Sequence, residues 1–299
     1  MKTVSALIKR NVKLFFKDKA MFFTSLITPV ILLILYATFL GNVYRDSFVQ
    51  NIPNAADLPE KLMNGLVGGQ LISSILSVSC VTVAFCANFI SVQDKATGVM
   101  RDLYVSPVKT WKLALSYCVS SVMSTFIICF TAMIVCLIYV AAIGWYMSVA
   151  DVLLLLLDVV LLLLFGISLS SVINFFLSTQ GQISAVGSMV SSCYGFISGA
   201  YMPISSFGEG LQIVISFLPG TYGTALLRSH AMNGAFEGLK SQGVPNQAID
   251  ILKDSLDCNV YFFENKVSVP VMYAVLCGAV IILFATYVLL NIFAKKAKK

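Results

Sequence analysis

Few residues of this 299-residue chain could do acid–base, nucleophilic or metal chemistry. The only histidine is His230, beside Arg228, and it reads as an interfacial anchor rather than a base. Asp158 lies inside an apolar run about two helical turns after Asp151, so both carboxylates share one helix face. An acid within a membrane segment is a functional candidate by default, as a relay or a contact on a transport path. At about 13 Å of helix from the run's outer end, Asp158 can also reach outer water or a protonated partner. Asn88 and Asn174 are weaker candidates of the same kind, near the inner ends of their runs. Other chemistry has no residues to carry it. There is no G-x-x-x-x-G-K-[ST] loop to cradle a nucleotide and no H-E-x-x-H. Nothing pairs a nucleophile with a base or assembles metal ligands. If ATP is consumed, another chain must hold the ATPase.

The elements that position these residues are set by composition. Hydrophobic residues make up 58% of the chain and charged residues 11%, and mean hydropathy is +0.89, which excludes an ordinary soluble domain. Apolar runs long enough to cross a bilayer occur at Met21 to Gly41, Leu66 to Val92, Leu113 to Gly144, Val152 to Leu177, Ile183 to Met202 and Val269 to Ala294. Such runs form helices, which satisfy their own backbone polar groups in lipid. The expected fold is an all-α membrane protein of six transmembrane helices, forming one domain over residues 1–299. The first run is too long for a signal peptide's apolar core and is expected to remain. Seven of the eight cysteines fall in or at the edge of the runs and only Cys258 lies in a polar region, so no disulfide framework is expected.

Charge orients the bundle. With both ends inside, the inner segments hold fourteen of the 20 Lys and Arg and only Asp18, Asp94 and Asp102 among the acids, as the positive-inside rule requires. The net charge of +6 therefore belongs to the membrane surface and points to no nucleic acid. Residues 1–20 put Val4, Leu7, Ile8, Val12 and Phe15 on one face and Lys9, Lys13 and Lys17 on another, an amphipathic helix in the inner headgroup layer. Ser206 to Leu227 is nearly apolar enough for a further span, but Glu209 and Pro219-Gly220 break it into two short helices dipping into the outer leaflet. Residues 203–267 thus form an outer cap with re-entrant helices, including a helix opened by Pro245 with Ile249, Leu252 and Leu256 on its apolar side. Cys258 is expected on the outer side, open to an impermeant thiol reagent if its thiol is exposed.

Small and polar residues recur at four-residue spacing on three runs: Gly65, Gly69, Ser73 and Ser77; Gly166, Ser170 and Asn174; Gly187, Ser191, Gly195 and Gly199. Such faces let helices approach closely. They serve packing within the chain, a dimer seam or a substrate path. The first and third are the expected seam.

Two further segments carry a family resemblance. The inner loop, residues 93–112, contains Asp94-Lys95-Ala96-Thr97-Gly98-Val99-Met100-Arg101-Asp102-Leu103-Tyr104-Val105-Ser106-Pro107, and a helix here should stop at Pro107. The second segment is Ser198-Gly199-Ala200-Tyr201-Met202-Pro203, followed by Pro219-Gly220-Thr221-Tyr222 and Leu227-Arg228. Both resemble the permease subunits of type-2 ABC exporters. In that family the inner loop forms a coupling helix against the ATPase. Gly98, Leu103, Ser106 and Pro107 match it directly and Asp94 and Lys95 match in charge, whereas Ala96 and Arg101 stand where acidic residues are usual.

The resemblance implies a non-catalytic permease that pairs with a second copy or a related permease and is driven by separate ATP-binding cassette subunits holding ATP and magnesium. By the same resemblance, Asp94, Lys95, Gly98, Arg101, Asp102, Leu103, Ser106 and Pro107 would meet the ATPase, and Tyr201, Pro203, Pro219, Tyr222 and Arg228 would build the outer signature. Gly69, Ser73, Ser77, Asn88, Asp158, Asn174, Gly187, Ser191, Gly195 and Gly199 are the candidates for the seam or path. Its expected place is the cell membrane, in contact with lipid, with both termini cytoplasmic. The expected cargo is a drug, peptide or other amphipathic compound. Polysaccharide or lipid export, or ATP-independent secondary transport, are the alternatives.

Overall fold

The computed structural model describes residues 2–52, 58–106, 108–263 and 265–296. The chain opens with α1 (Lys2–Lys17), which buries Asn11 and Phe15 and leaves Lys9, Lys13 and Lys17 exposed. Asp18 then caps α2 (Lys19–Leu35) by accepting from the Met21 N–H. Through a π-turn at Tyr36–Leu40, α2 continues into α3 (Gly41–Asn51), so the first apolar rod runs from Lys19 to Gln50 and is longer than the run read from hydropathy.

The centre is α4 (Glu60–Ala96), with 94% of its most apolar window buried. Around it pack α2, α6 (Thr110–Ile143), α7 (Val149–Phe176), α8 (Gln180–Ile197) and α10 (Pro219–Ser241). At the periphery α12 (Val269–Lys296) lies on α7 and α10 and buries only 6% of its window, presenting Ile281, Ile282, Leu289 and Phe293 outward. Outward apolar and inward small or polar residues are the reverse of a soluble bundle and suit a lipid solvent.

Each end of the bundle has its own connections. At the α1 end, α5 (Val99–Val105) links α4 to α6. At the opposite end the chain from Gly144 to Met147 crosses beneath α10. Here a Cβ on Gly234 would collide with the Tyr146 carbonyl, so helix and loop touch backbone to backbone. Beyond α8 come a short 3₁₀ turn at Ile204–Ser206, α9 (Glu209–Ser216) and then α10, with α9 and α10 bent by 88°. Pro219 occupies the first turn of α10, where its missing N–H costs nothing. Last come α11 (Asn246–Ser255), which buries Ile249, Leu252 and the following Leu256, and a two-residue hairpin of β1 (Tyr261–Phe262) with β2 (Asn265–Lys266).

The all-α membrane fold is as the hydropathy implied, with one difference in the count. Among the described residues, five helices are long and apolar enough to cross a membrane, or six if the bent pair forms one span. The fifth expected span is α8, which stops at Ile197 rather than Met202 and opens on Gln180 and Gln182. Its 18 residues reach about 27 Å, slightly less than a hydrocarbon core. The two helices expected after it are unequal. The shorter is α9; α10 has 23 residues and runs antiparallel to α4, with Thr224 by Ser77 and Met232 by Gly69.

Candidate functional site

Gly98 begins the segment of interest because it adopts φ +85°, a left-handed conformation that ends α4 and turns the chain into α5. Before it, both charged residues are held within the chain. Asp94 is 6% exposed and accepts two hydrogen bonds from the Arg10 guanidinium, at 2.7 and 3.0 Å, and one from the Tyr117 hydroxyl at 2.5 Å. The Asp94 bond also raises the Arg10 pKa, fixing its charge. Lys95 donates to the carbonyls of Asn174, Phe175 and Leu177, capping the C-terminus of α7 where a cation is favoured. Asp94 and Lys95 thus join α1, α4, α6 and α7.

Beyond Gly98, Arg101, Asp102, Tyr104 and Val105 are exposed, Val105 at 88%. Leu103, expected as the apolar anchor for a partner, packs partly against this chain's own core. The exposed apolar group is Val105 instead. The Ser106 hydroxyl donates to the Leu103 carbonyl and closes α5. Pro107 lies outside the described residues.

The small-residue faces are covered by the chain itself, which corrects their reading as a seam between subunits. A Cβ at Gly69 would lie 2.7 Å from Met232 and 2.8 Å from the Ala231 carbonyl, so α10 occupies that face. Ser73 is fully buried, and Ser77 hydrogen-bonds Thr224 at 2.5 Å. Gly166 rests on the α4 backbone, and Gly187 faces Phe89 of α4. Gly195 is filled by the Tyr201 ring, whose hydroxyl donates to the Ser191 carbonyl. Gly199 takes φ +73° and turns the chain out of α8. What α8 leaves exposed is its other side, with Ser184, Ser188, Met189, Ser192, Cys193 and Phe196.

The buried polar residues fall into three kinds. Asp158, at 0% exposure, bonds His230 Nδ1 at 2.6 Å and the Tyr273 hydroxyl at 2.5 Å, so it reaches a partner rather than water. His230, only 13% exposed at its side chain, is therefore a contact joining α7 to α10 and not an interfacial anchor. Two turns away, Asp151 caps its own helix through Ser148 and accepts from Asn233 of α10. Asn88 is satisfied differently: it donates to Ser170 and Ser171 of α7 and accepts from Ser121 of α6. Asn174 is buried with neither amide atom hydrogen-bonded. Of these four side chains, Asn174 is the one with no hydrogen bond to either amide atom.

The outer-signature residues hold the break between α8 and α10. The hydroxyls of Thr221 and Tyr222 donate to the Ile215 and Ser216 carbonyls, tying the start of α10 to the last turn of α9. Pro203 opens the 3₁₀ turn. Arg228, 1% exposed, donates to the Leu256 and Gly199 carbonyls and lies 3.5 Å from Asp257, which accepts the Ile204 N–H. One guanidinium thereby binds α10 to the turn after α8 and to the end of α11. Cys258 beside it is 4% exposed and burial pushes its thiol pKa up to about 12, so the condition for its labelling from outside is not met.

Sequence reasoning missed Arg10, Tyr117, Tyr146, Tyr273 and Asn233. Arg10, Tyr117, Tyr273 and Asn233 are joined to their partners across helix pairings and Tyr146 lies in a loop against α10, placements that spacing along one segment does not show. The known family whose profile matches is the ABC-2 type transporter, over residues 2–231. No curated protein matches the chain. The matched region runs from α1 through the part of α10 that holds Arg228 and His230, well over half of the residues, and the chain belongs to the ABC-2 type transporter family, as a multi-pass membrane permease component.

Proposed function

We propose that this chain is the permease subunit of an ATP-binding cassette exporter in the cell membrane, with both termini cytoplasmic. The observation that supports it best is α5: a short helix with exposed Arg101, Asp102 and Val105, joined through Asp94 and Lys95 to α1, α6 and α7. A push on such a helix moves spans, where a slack loop would absorb it. The partner is a separate cassette ATPase carrying ATP and magnesium, since this chain has no phosphate-binding loop. A second permease copy, or a related one, completes the substrate path. The exposed serine-bearing side of α8 is the seam or path we favour, because lipid selects against polar side chains there. The cargo is a drug, peptide or other amphipathic compound.

The test is reconstitution in vesicles. The purified chain alone hydrolyses no ATP, and the complex isolated with its cassette ATPase exports cargo in a vanadate-sensitive manner. ATP turnover by the chain alone overturns the reading. One feature favours a second reading, secondary transport: the ionisable pair Asp158 and His230 inside the bundle. Cargo movement driven by a proton gradient with no ATPase present would select it. Orientation is read from Asp250→Cys, an exposed α11 position, in a Cys258→Ser background. Labelling of intact cells by an impermeant thiol reagent places α11 outside.

A further inference from the structure

Asn174, at the C-terminal end of α7, is 2% exposed and has no hydrogen-bond partner on either amide atom. Leaving both sides of a buried amide unsatisfied is costly, and native proteins rarely do so without a ligand or water at the site. The amide lines a recess of about 60 Å³, together with Lys95, Tyr117, Tyr287 and Asn291. Thr110, Ala114, Tyr287 and Asn291 also line an apolar groove of about 630 Å³ between α6 and α12, so recess and groove adjoin. The groove's wall is formed by Trp111, Leu115, Phe284 and Val288.

We infer that this cleft is a binding site for a single-chain amphiphile with a small carboxyl head, a long-chain fatty acid being the simplest. The groove takes the acyl chain. A recess of about 60 Å³ has room for a few water-sized groups, which admits a carboxyl group and excludes a large phospholipid headgroup. The amide presents a donor at Nδ2 and an acceptor at Oδ1. A carboxyl group supplies the acceptor and, when protonated, the donor. The Lys95 ammonium in the same recess favours the anionic form, which accepts from Nδ2 and leaves Oδ1 to a water in the recess. Bulk lipid alone fills the groove and leaves the amide unsatisfied. The site does not depend on the transport reading, because it needs neither an ATPase nor a second copy.

The chain has two tryptophans, so Trp145→Phe leaves Trp111 as a reporter in the groove wall. In nanodiscs of this full-length variant, 9,10-dibromostearic acid quenches Trp111 saturably and unbrominated oleate reverses it. The methyl ester, which has lost the donor and the charge, quenches only in proportion to its mole fraction in the bilayer. Asn174→Leu removes no bond from the fold and weakens saturable quenching about ten-fold, the loss of one hydrogen bond to a charged group. Ala114→Phe, which fills the junction of groove and recess, abolishes it. Quenching linear in mole fraction for both acid and ester, or saturable quenching unchanged by Asn174→Leu and Ala114→Phe, overturns the assignment.

Discussion

Gly98 separates two halves of one connection that differ in almost every respect. Before it, Asp94 and Lys95 are bonded to α1, α6 and α7. After it, Arg101, Asp102 and Val105 face outward. Charge type alone does not distinguish them, since each half has an adjacent acid and base, Asp94-Lys95 and Arg101-Asp102. The difference lies in where α4 ends: its last turns remain inside the bundle, and the left-handed residue swings the next helix out. The first half is a joint and the second a surface. A rigid joint is what lets force on the surface reach the spans.

Substitutions that break the joint should have the largest effect on stability. Asp94→Ala leaves Arg10 and Tyr117 without their acceptor and should destabilise the protein by about 2–3 kcal/mol, discounted because Arg10 is one-third exposed. Thermal unfolding in detergent reads this, and an unchanged midpoint would mean that the Arg10 pair is idle. Lys95→Met uncaps α7 and should cost about 1–2 kcal/mol by the same assay. Gly98→Ala meets no neighbouring atom yet forces φ +85° on a residue with a Cβ, so about 1 kcal/mol is expected from backbone strain alone. Arg101→Glu and Asp102→Lys should stay within about 0.5 kcal/mol of the parent, as exposed positions do. A large destabilisation by either would erase the distinction between joint and surface.

Much of the fold could be read in the sequence because lipid imposes a strong pattern: long apolar runs, basic residues where they end, and an amphipathic α1 with Phe15 on its buried face. The α9–α10 break was legible from Pro219-Gly220, and the apolar face of α11 from the spacing of Ile249, Leu252 and Leu256. Pairing across helices was not. Four-residue spacing shows that Gly69 and Ser77 share a face, yet says nothing of whether α10 or another subunit covers it. Asp158 stood out as an acid in an apolar run and His230 as the single histidine of the chain. Their contact depends on the register of α7 against α10, which periodicity does not encode. The burial of Cys258 was not legible, because a segment that is polar on average still buries single residues, here beside Arg228.

The central claim is that the exposed half of the connection is where a partner ATPase engages. Its most direct test is Val105→Asp in the full chain, assembled with its cassette ATPase in vesicles. The account predicts an unchanged thermal midpoint, because the Val105 side chain is 88% exposed, together with loss of ATP-driven cargo export. Export at the parent rate by a Val105→Asp, Arg101→Glu double variant that still assembles with the ATPase would contradict it.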